Sequence, residues 1–246
     1  MRYAIKLAYK GTHYHGWQKQ QNAHSVQSVL DEKLSLLLGE NVETLGCGRT
    51  DTGVHAKDFV AHFDTAKSFD TARLVFKLNQ VLPDDIAVFE ILAVHPDFNA
   101  RFDASYRTYE YIITQNPDPF FTEFAWYQYG KFDIELMNQA AQLLIGKKDF
   151  ECFSKVHTQV NNFMCEVTFA KWEYQDHKLI FTITANRFLR NMVRAIVGTL
   201  TDIGRHKLNI DDLNAILMSK NRCEAGQSVP AKGLFLTRIE YPNLKK

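Results

Sequence analysis

Residues 2–9 set Tyr3, Ile5, Leu7 and Tyr9 on one side and Arg2, Ala4, Lys6 and Ala8 on the other. That period of two predicts a strand. Ser25 then precedes Val26, Val29, Leu30, Leu34, Leu37 and Leu38 at helical spacing, with Gly39 beyond them. Serine caps a helix N-terminus well and glycine stops one, so a helix is predicted between them. Short strands are predicted at 42–46 and 59–64, a helix near 71–80 ended by Pro83, and a strand at 86–94.

The pattern then starts again. Residues 105–113 alternate Tyr109, Tyr111 and Ile113 on one side, and Asp133 is placed to cap a helix carrying Ile134, Met137, Ala141 and Leu144, with Gly146 beyond its end. Strands follow at 165–174 and 178–185, then an amphipathic helix at 187–203, another near 211–219 and a last strand at 233–241. Two α+β halves are expected, 1–100 and 101–246, with the boundary around residues 95–105. A cleft between two such halves is a common place for a ligand site.

Composition narrows the class. The chain has 246 residues, 46% hydrophobic and 23% charged, which is enough for a packed core and excludes a disordered or collagen-like chain. Its 29 basic and 28 acidic residues leave a net charge of +1, so bulk charge cannot hold a polyanion. A nucleic-acid surface has to be a local concentration of Lys and Arg. Cys47, Cys152, Cys165 and Cys223 include no CxxC pair and read as free thiols in a reducing cytoplasm. The opening MRYAIKLAYKGTHYHGW is broken by charge and does not read as a signal peptide, and no apolar run is long enough to span a bilayer. A soluble, cytoplasmic protein is expected.

The most unusual segment runs Gly46-Cys47-Gly48-Arg49-Thr50-Asp51-Thr52-Gly53-Val54-His55-Ala56. Its glycines suit neither helix nor strand, so it reads as a shaped loop carrying a carboxylate two residues from an arginine. Asp51-Thr52-Gly53 is also the aspartic-protease tripeptide, but that chemistry needs two carboxylates and the chain has one copy. On a helix over 187–203, Arg187, Arg190 and Arg194 fall at about 0°, 300° and 340°, one narrow stripe. Asp202 is the single acid of that segment, so the stripe calls for an anion, either phosphates or a site carboxylate. Tyr106 to Ile113 alternates aromatics downstream of Arg101 and Phe102, a pattern that serves sheet packing or the stacking of unpaired bases. His13, His15 and His24 lack a Cys or carboxylate at ligand spacing, so no metal site is expected. Lys6, Trp17 and His55 read as core or loop packing.

Taken in order, these segments resemble the tRNA pseudouridine synthase A family. The likeness lies in Tyr9-Lys10-Gly11-Thr12, Gly16-Trp17-Gln18, Ser25-Val26-Gln27 and Gly48 through Ala56. It continues in Phe98-Asn99-Ala100-Arg101-Phe102, Tyr109-Glu110-Tyr111, Phe188 through Arg194 with Gly198, and Gly233-Leu234-Phe235-Leu236. Some members of that family carry histidines where Arg190 and Asn191 stand here. The resemblance implies an α+β fold of two similar halves, each a mainly antiparallel sheet with helices on one face, with the active-site cleft between them. It implies isomerisation of uridine to pseudouridine in the tRNA anticodon stem-loop, at positions 38 to 40, by a homodimer with no metal or small-molecule cofactor. By that resemblance Asp51 is the essential carboxylate, Tyr109 the active-site tyrosine and Arg194 the partner of the aspartate. Arg49 is then the arginine that helps draw out the target base, with Arg101, Arg187 and Arg190 as further substrate contacts.

The residue types suit the reaction. Uracil must leave its ribose through N1, turn over and rejoin through C5, with no oxidation and no added water. An ionised carboxylate serves either to attack the nucleotide or to take a proton from the sugar. A nearby guanidinium favours the charged form and orients it through a planar fork that lysine's point charge lacks. Tyrosine can stack on the base and relay the C5 proton, and the detached uracil has to be kept from water. Extruding a base from a stem costs a few kcal/mol, and phosphate contacts make such binding salt-dependent. Two other classes stand beside this one: a non-catalytic RNA-binding module, which has no need of Asp51, and a glycoside hydrolase, which ordinarily requires two spaced carboxylates.

Overall fold

The computed structural model describes residues 1–156, 161–242 and 244. In chain order its first elements are β1 (Arg2–Tyr9), α1 (Val26–Leu38), β2 (Leu45–Gly46), β3 (His55–Asp64), α2 (Thr71–Val81) and β4 (Ile86–Ala93). Next come β5 (Tyr106–Thr114), β6 (Trp126–Tyr127), α3 (Ile134–Gln142), β7 (Gly146–Asp149), β8 (Met164–Gln175) and β9 (Lys178–Ala185). The chain closes with α4 (Met192–Gly204), α5 (Ile210–Ser219) and β10 (Leu234–Glu240). Contacts divide it into two compact units, Met1–Ser105 with Phe235–Lys246, and Tyr106–Leu234.

In the first unit the strand order is β4-β1-β3-β10, with β2 also on β3. β1 runs antiparallel to both neighbours, placing Leu7 opposite Phe59 on one side and Val88 on the other. Tyr3, Ile5, Leu7 and Tyr9 are all buried, as their alternation predicts. α1 has the predicted ends. The Ser25 hydroxyl accepts from Ser28 N–H at 3.2 Å and the Ser28 hydroxyl accepts from Ser25 N–H at 3.2 Å. Such a reciprocal cap contributes about 1 kcal/mol. Gly39 closes the helix in the left-handed region at φ 67°. α2 is capped by Asp70, whose carboxylate accepts from Arg73 N–H at 2.8 Å. It ends before Pro83, which forces the preceding Leu82 into extended backbone at ψ 149°.

Two departures matter here. The strand predicted at 42–46 pairs only at Leu45 and Gly46, whereas the one predicted at 59–64 starts earlier, at His55. The last strand, which follows the second half in sequence, pairs in parallel with the first half: Phe235 lies opposite His55 and Leu236 opposite Ala56. That pairing gives β3 a neighbour directly beyond the Asp51 loop.

In the second unit the order is β5-β9-β8-β7, antiparallel throughout, with β6 parallel on β5. Asp133 caps α3 by accepting from Leu136 N–H at 2.9 Å. Gly146 does not simply follow the helix; at φ 102° it opens β7, a strand of Gly146-Lys147-Lys148-Asp149 whose sequence has no apolar alternation. α3 packs on β8, α4 and α5.

The helix predicted over 187–203 begins instead at Met192. Asn191 sits in the left-handed region at φ 69°, which a continuing right-handed helix cannot accommodate. Met192 N–H donates to Leu189 C=O at 3.1 Å, and Lys155 N–H to Arg190 C=O at 3.0 Å, fixing the turn. Arg187 and Arg190 therefore precede the helix, and the three-arginine stripe does not form; Arg194 alone of the three is helical. α4 is also buried more fully than a one-sided amphipathic helix, Gly198, Thr199 and Thr201 included. A Cβ on Gly198 would lie 1.8 Å from the Gln227 carbonyl oxygen, so glycine is what lets that segment lie against the helix.

Candidate functional site

Asp51 lies between β2 and β3 in the first unit and is half-buried, with Arg49 exposed two residues before it. Val54 N–H donates to Asp51 C=O at 3.1 Å, closing a turn around the carboxylate-bearing residue. Gly53 adopts φ 78° in that turn, a conformation glycine enters at little cost. The segment after β1 holds the loop from outside. Trp17 N–H donates to Thr50 C=O at 3.4 Å, and Gly53 N–H donates to Tyr14 C=O at 3.3 Å. Gly16, at φ 84°, has to be glycine for a second reason: its Cβ would stand 2.2 Å from the Thr50 carbonyl oxygen.

His55 and Trp17, read as packing residues, are each 2% exposed. The His55 ring stacks on Phe235 with centroids 4.6 Å apart, and its Nδ1 accepts from Gly11 N–H at 3.0 Å. Trp17 packs on Phe59 with centroids 4.1 Å apart. Tyr14, whose carbonyl receives Gly53, is itself anchored by its hydroxyl, which donates to Asp85 at 2.5 Å. Burial and that carboxylate push the Tyr14 phenol well above its ordinary range, so it remains a donor. Arg101 is exposed, and its guanidinium lies over the Phe102 ring at 5.5 Å from the centroid. The turn under it is built by Asn99, whose side-chain oxygen accepts from Arg101 N–H at 3.0 Å and Phe102 N–H at 3.1 Å.

In the second unit Tyr109 stands on β5 opposite Ile183, half-buried, its ring edge-on to Phe188 at 5.1 Å. Arg194 occupies the first turn of α4 and is half-buried. Its Nε donates to Val229 C=O at 2.7 Å, while Val229 N–H donates back to Arg194 C=O at 3.2 Å. The segment bearing Val229 is tied down in turn. The Ser228 hydroxyl accepts from Asn191 Nδ2 at 2.6 Å and from an Arg222 guanidinium nitrogen at 2.8 Å. The Tyr111 hydroxyl donates to Pro230 C=O at 2.8 Å, and burial pushes that phenol upward against the pull of Arg194. Arg187 is half-buried and Arg190 exposed in the turn before the helix. The residues that hold Asp51 and Arg194 were not legible as such, because Tyr14, Gly16, Ser228 and Val229 act through contacts remote in sequence.

Burial pushes the Cys152 thiol up to about 12 and the Cys165 thiol up to about 11, which makes both poor nucleophiles at neutral pH. Among the described residues no group of three or more His, Cys, Asp or Glu is placed to hold a metal ion, and no helix is long and apolar enough to cross a membrane.

Known proteins share this sequence pattern. A family model described as tRNA pseudouridine synthase matches residues 5–103 and 140–242, stretches that contain Asp51 and Arg194. The tRNA pseudouridine synthase A of Bacteroides thetaiotaomicron is 49% identical over 244 residues, 98% of this chain and 91% of that protein. Its counterpart in Bacteroides fragilis is 48% identical over 98% of this chain and 96% of its own length. That of Clostridium acetobutylicum is 38% identical over 96% of this chain and 98% of its own. With the match reaching both units and these relatives aligned over nearly every residue, the chain belongs to the tRNA pseudouridine synthase family.

Proposed function

We propose that this chain isomerises uridine to pseudouridine in the anticodon stem-loop of tRNA, at positions 38 to 40, with Asp51 as the essential carboxylate. The observation that carries the reading is the family match over the Asp51 loop, together with the construction of that loop. Asp51 is half-buried in a turn whose neighbours are hydrogen-bonded on both sides, as a group that must meet substrate in one orientation requires. In the reaction the N1–C1′ bond breaks, the base turns, and a C5–C1′ bond forms. C5 gives up a proton and N1 gains one, so the product is an isomer. Asp51 serves by attacking the nucleotide or by removing a sugar proton, and either route uses the ionised carboxylate.

Arg194 takes the role of orienting the reacting carboxylate. Its Nε is committed to the Val229 carbonyl, which sets the plane of the fork. Tyr109 lies between the two matched stretches, and its half-buried ring on β5 suits stacking on the displaced base. Arg49 and Arg101, both exposed, with Arg187 and Arg190, serve as contacts to the RNA backbone and the extruded nucleotide. The enzyme acts as a homodimer in the cytoplasm, with no metal or organic cofactor. Incubation with unmodified tRNA followed by mapping of pseudouridine is the test. Pseudouridine confined to the anticodon arm is the expected result; modification elsewhere overturns the assigned position, and none at all overturns the activity. Sedimentation at twice the chain mass is expected for the dimer.

A further inference from the structure

Tyr9 closes β1 as a buried ring, 4% exposed, packed edge-on against Phe59 at 5.4 Å and beside Trp17 at 6.1 Å. Phenylalanine would fill the same space, so the hydroxyl calls for its own account. It lies 2.9 Å from Thr50 Oγ1, across 41 residues of chain, and Thr50 is itself only 7% exposed. A buried phenol hydroxyl needs a partner, but a partner anywhere would satisfy it. This one is the residue immediately before Asp51.

Thr50 is thereby held twice, by its side chain on Tyr9 and by its carbonyl oxygen on Trp17 N–H. Beyond Asp51, Gly53 is held on Tyr14, and the Val54–His55 stretch is held on Gly11. A Cβ on Gly11 would come within 2.0 Å of the Val54 carbonyl oxygen, so the two chains are in direct contact there. The Trp17–Thr50 and Gly53–Tyr14 holds are main-chain to main-chain and survive most substitutions, whereas the hold on Gly11 uses the His55 imidazole. The Tyr9–Thr50 pair is a buried side-chain contact on the backbone entering Asp51.

We infer that the Tyr9 and Thr50 hydroxyls form a positioning pair that sets the direction of the Asp51 carboxylate. The inference rests on the role proposed for Asp51. Rotation at Thr50 would swing the carboxylate without unfolding the loop, and displacement of a reacting group by about 1 Å can cost about a hundredfold in rate. The pair therefore acts on turnover and leaves RNA binding alone, since neither side chain reaches the exposed surface.

The experiment is steady-state kinetics on unmodified tRNA for Tyr9→Phe, Thr50→Val, Thr50→Ser and the Tyr9→Phe/Thr50→Val double variant, with melting temperatures measured alongside. Tyr9→Phe keeps the ring and Thr50→Val keeps the volume, so each removes one hydroxyl. Each is expected to lower kcat by about tenfold or more with KM within about twofold. Thr50→Ser, which keeps the hydroxyl, should restore kcat to within about twofold of the parent. The double variant should be no worse than the poorer single one, because both remove the same contact. Unchanged kcat in Tyr9→Phe, a loss that only follows the folded fraction, or a fully multiplicative double variant overturns the inference. Asp51→Asn is run in parallel: if it turns over normally, the role proposed for Asp51 has failed. If it is inactive while Tyr9→Phe is normal, the positioning pair alone has failed.

Discussion

The loop bearing Asp51 is fixed largely through its main chain, by Trp17 N–H on Thr50 and Gly53 N–H on Tyr14, with Gly16 admitting the close approach. Arg194 is fixed through its own side chain, Nε to the Val229 carbonyl, inside a segment pinned at Ser228. Each anchor suits its group. A short carboxylate has little reach, so its backbone has to be aimed; a long guanidinium has many rotamers, so its head has to be caught. The comparison implies that Asp51 is sensitive to changes in its neighbours, and Arg194 to changes in its own chemistry.

The strongest way to break this picture is Asp51→Asn. The substitution keeps the size and leaves the main-chain hydrogen bonds at Thr50, Asp51 and Gly53 in place. A loss of turnover of about a thousandfold or more is expected, with melting temperature and tRNA affinity preserved. Near-normal turnover would leave the loop without a catalytic purpose.

Arg194→Lys comes next. Lysine retains the charge but has no Nε, so the bond to Val229 is lost together with the planar fork. About a hundredfold lower kcat is expected, against a much smaller change in the dissociation constant for tRNA. Equal loss in both would make Arg194 a phosphate contact, and the comparison would collapse on that side.

These two regions also differ in how far the sequence discloses them. The Asp51 loop was legible because glycines and a lone acid are unusual in any regular element, and α1 because Ser25 and Gly39 mark its ends in local chemistry. The start of α4 was not legible. Arg187, Phe188 and Leu189 continue the helical period, and the break is decided by Asn191 at φ 69° with its amide on Ser228, 37 residues away. The two short strands β6 and β7 failed for a related reason, since neither carries enough alternation to be seen. Local signals report caps and periods; contacts that close over long stretches report nothing until the chain has folded. The braces around Asp51 belong to the second kind.

Gly16→Ala sharpens the claim that the loop is aimed by backbone. A methyl group 2.2 Å from the Thr50 carbonyl oxygen, on a residue at φ 84°, forces either the loop or the Tyr14–Trp17 segment to move. A stability loss of about 1–3 kcal/mol is expected, read as a fall in denaturation midpoint. Loss of activity should exceed what the unfolded fraction explains, because the displaced atoms adjoin Asp51. A change at Val229 has no such steric lever, so Val229→Ala should leave turnover within about twofold.

The smallest expected effect concerns pH, and it separates the frames behind the two groups. β3, which leads away from the Asp51 loop, carries His62, 6% exposed, with Nδ1 accepting from Ala100 N–H at 3.1 Å. Burial lowers its pKa first and Arg2 lowers it further, outweighing the opposing pull of Asp64 and Asp103. Above the ordinary histidine value of 6.5 neither the folded nor the unfolded chain carries the proton, and the contribution to stability is complete. As the pH falls below 6.5 the unfolded chain takes up a proton that folded His62 resists, so stability declines toward the lowered folded value. Near Arg194 the buried Tyr111 is pushed upward, away from neutral pH, and brings no such dependence. A fall in Tm of about a few degrees is expected on moving from neutral to mildly acidic buffer. His62→Gln, which keeps an acceptor for Ala100 N–H but cannot titrate, should flatten that slope. An unchanged slope in the variant would move the pH sensitivity elsewhere in the first unit.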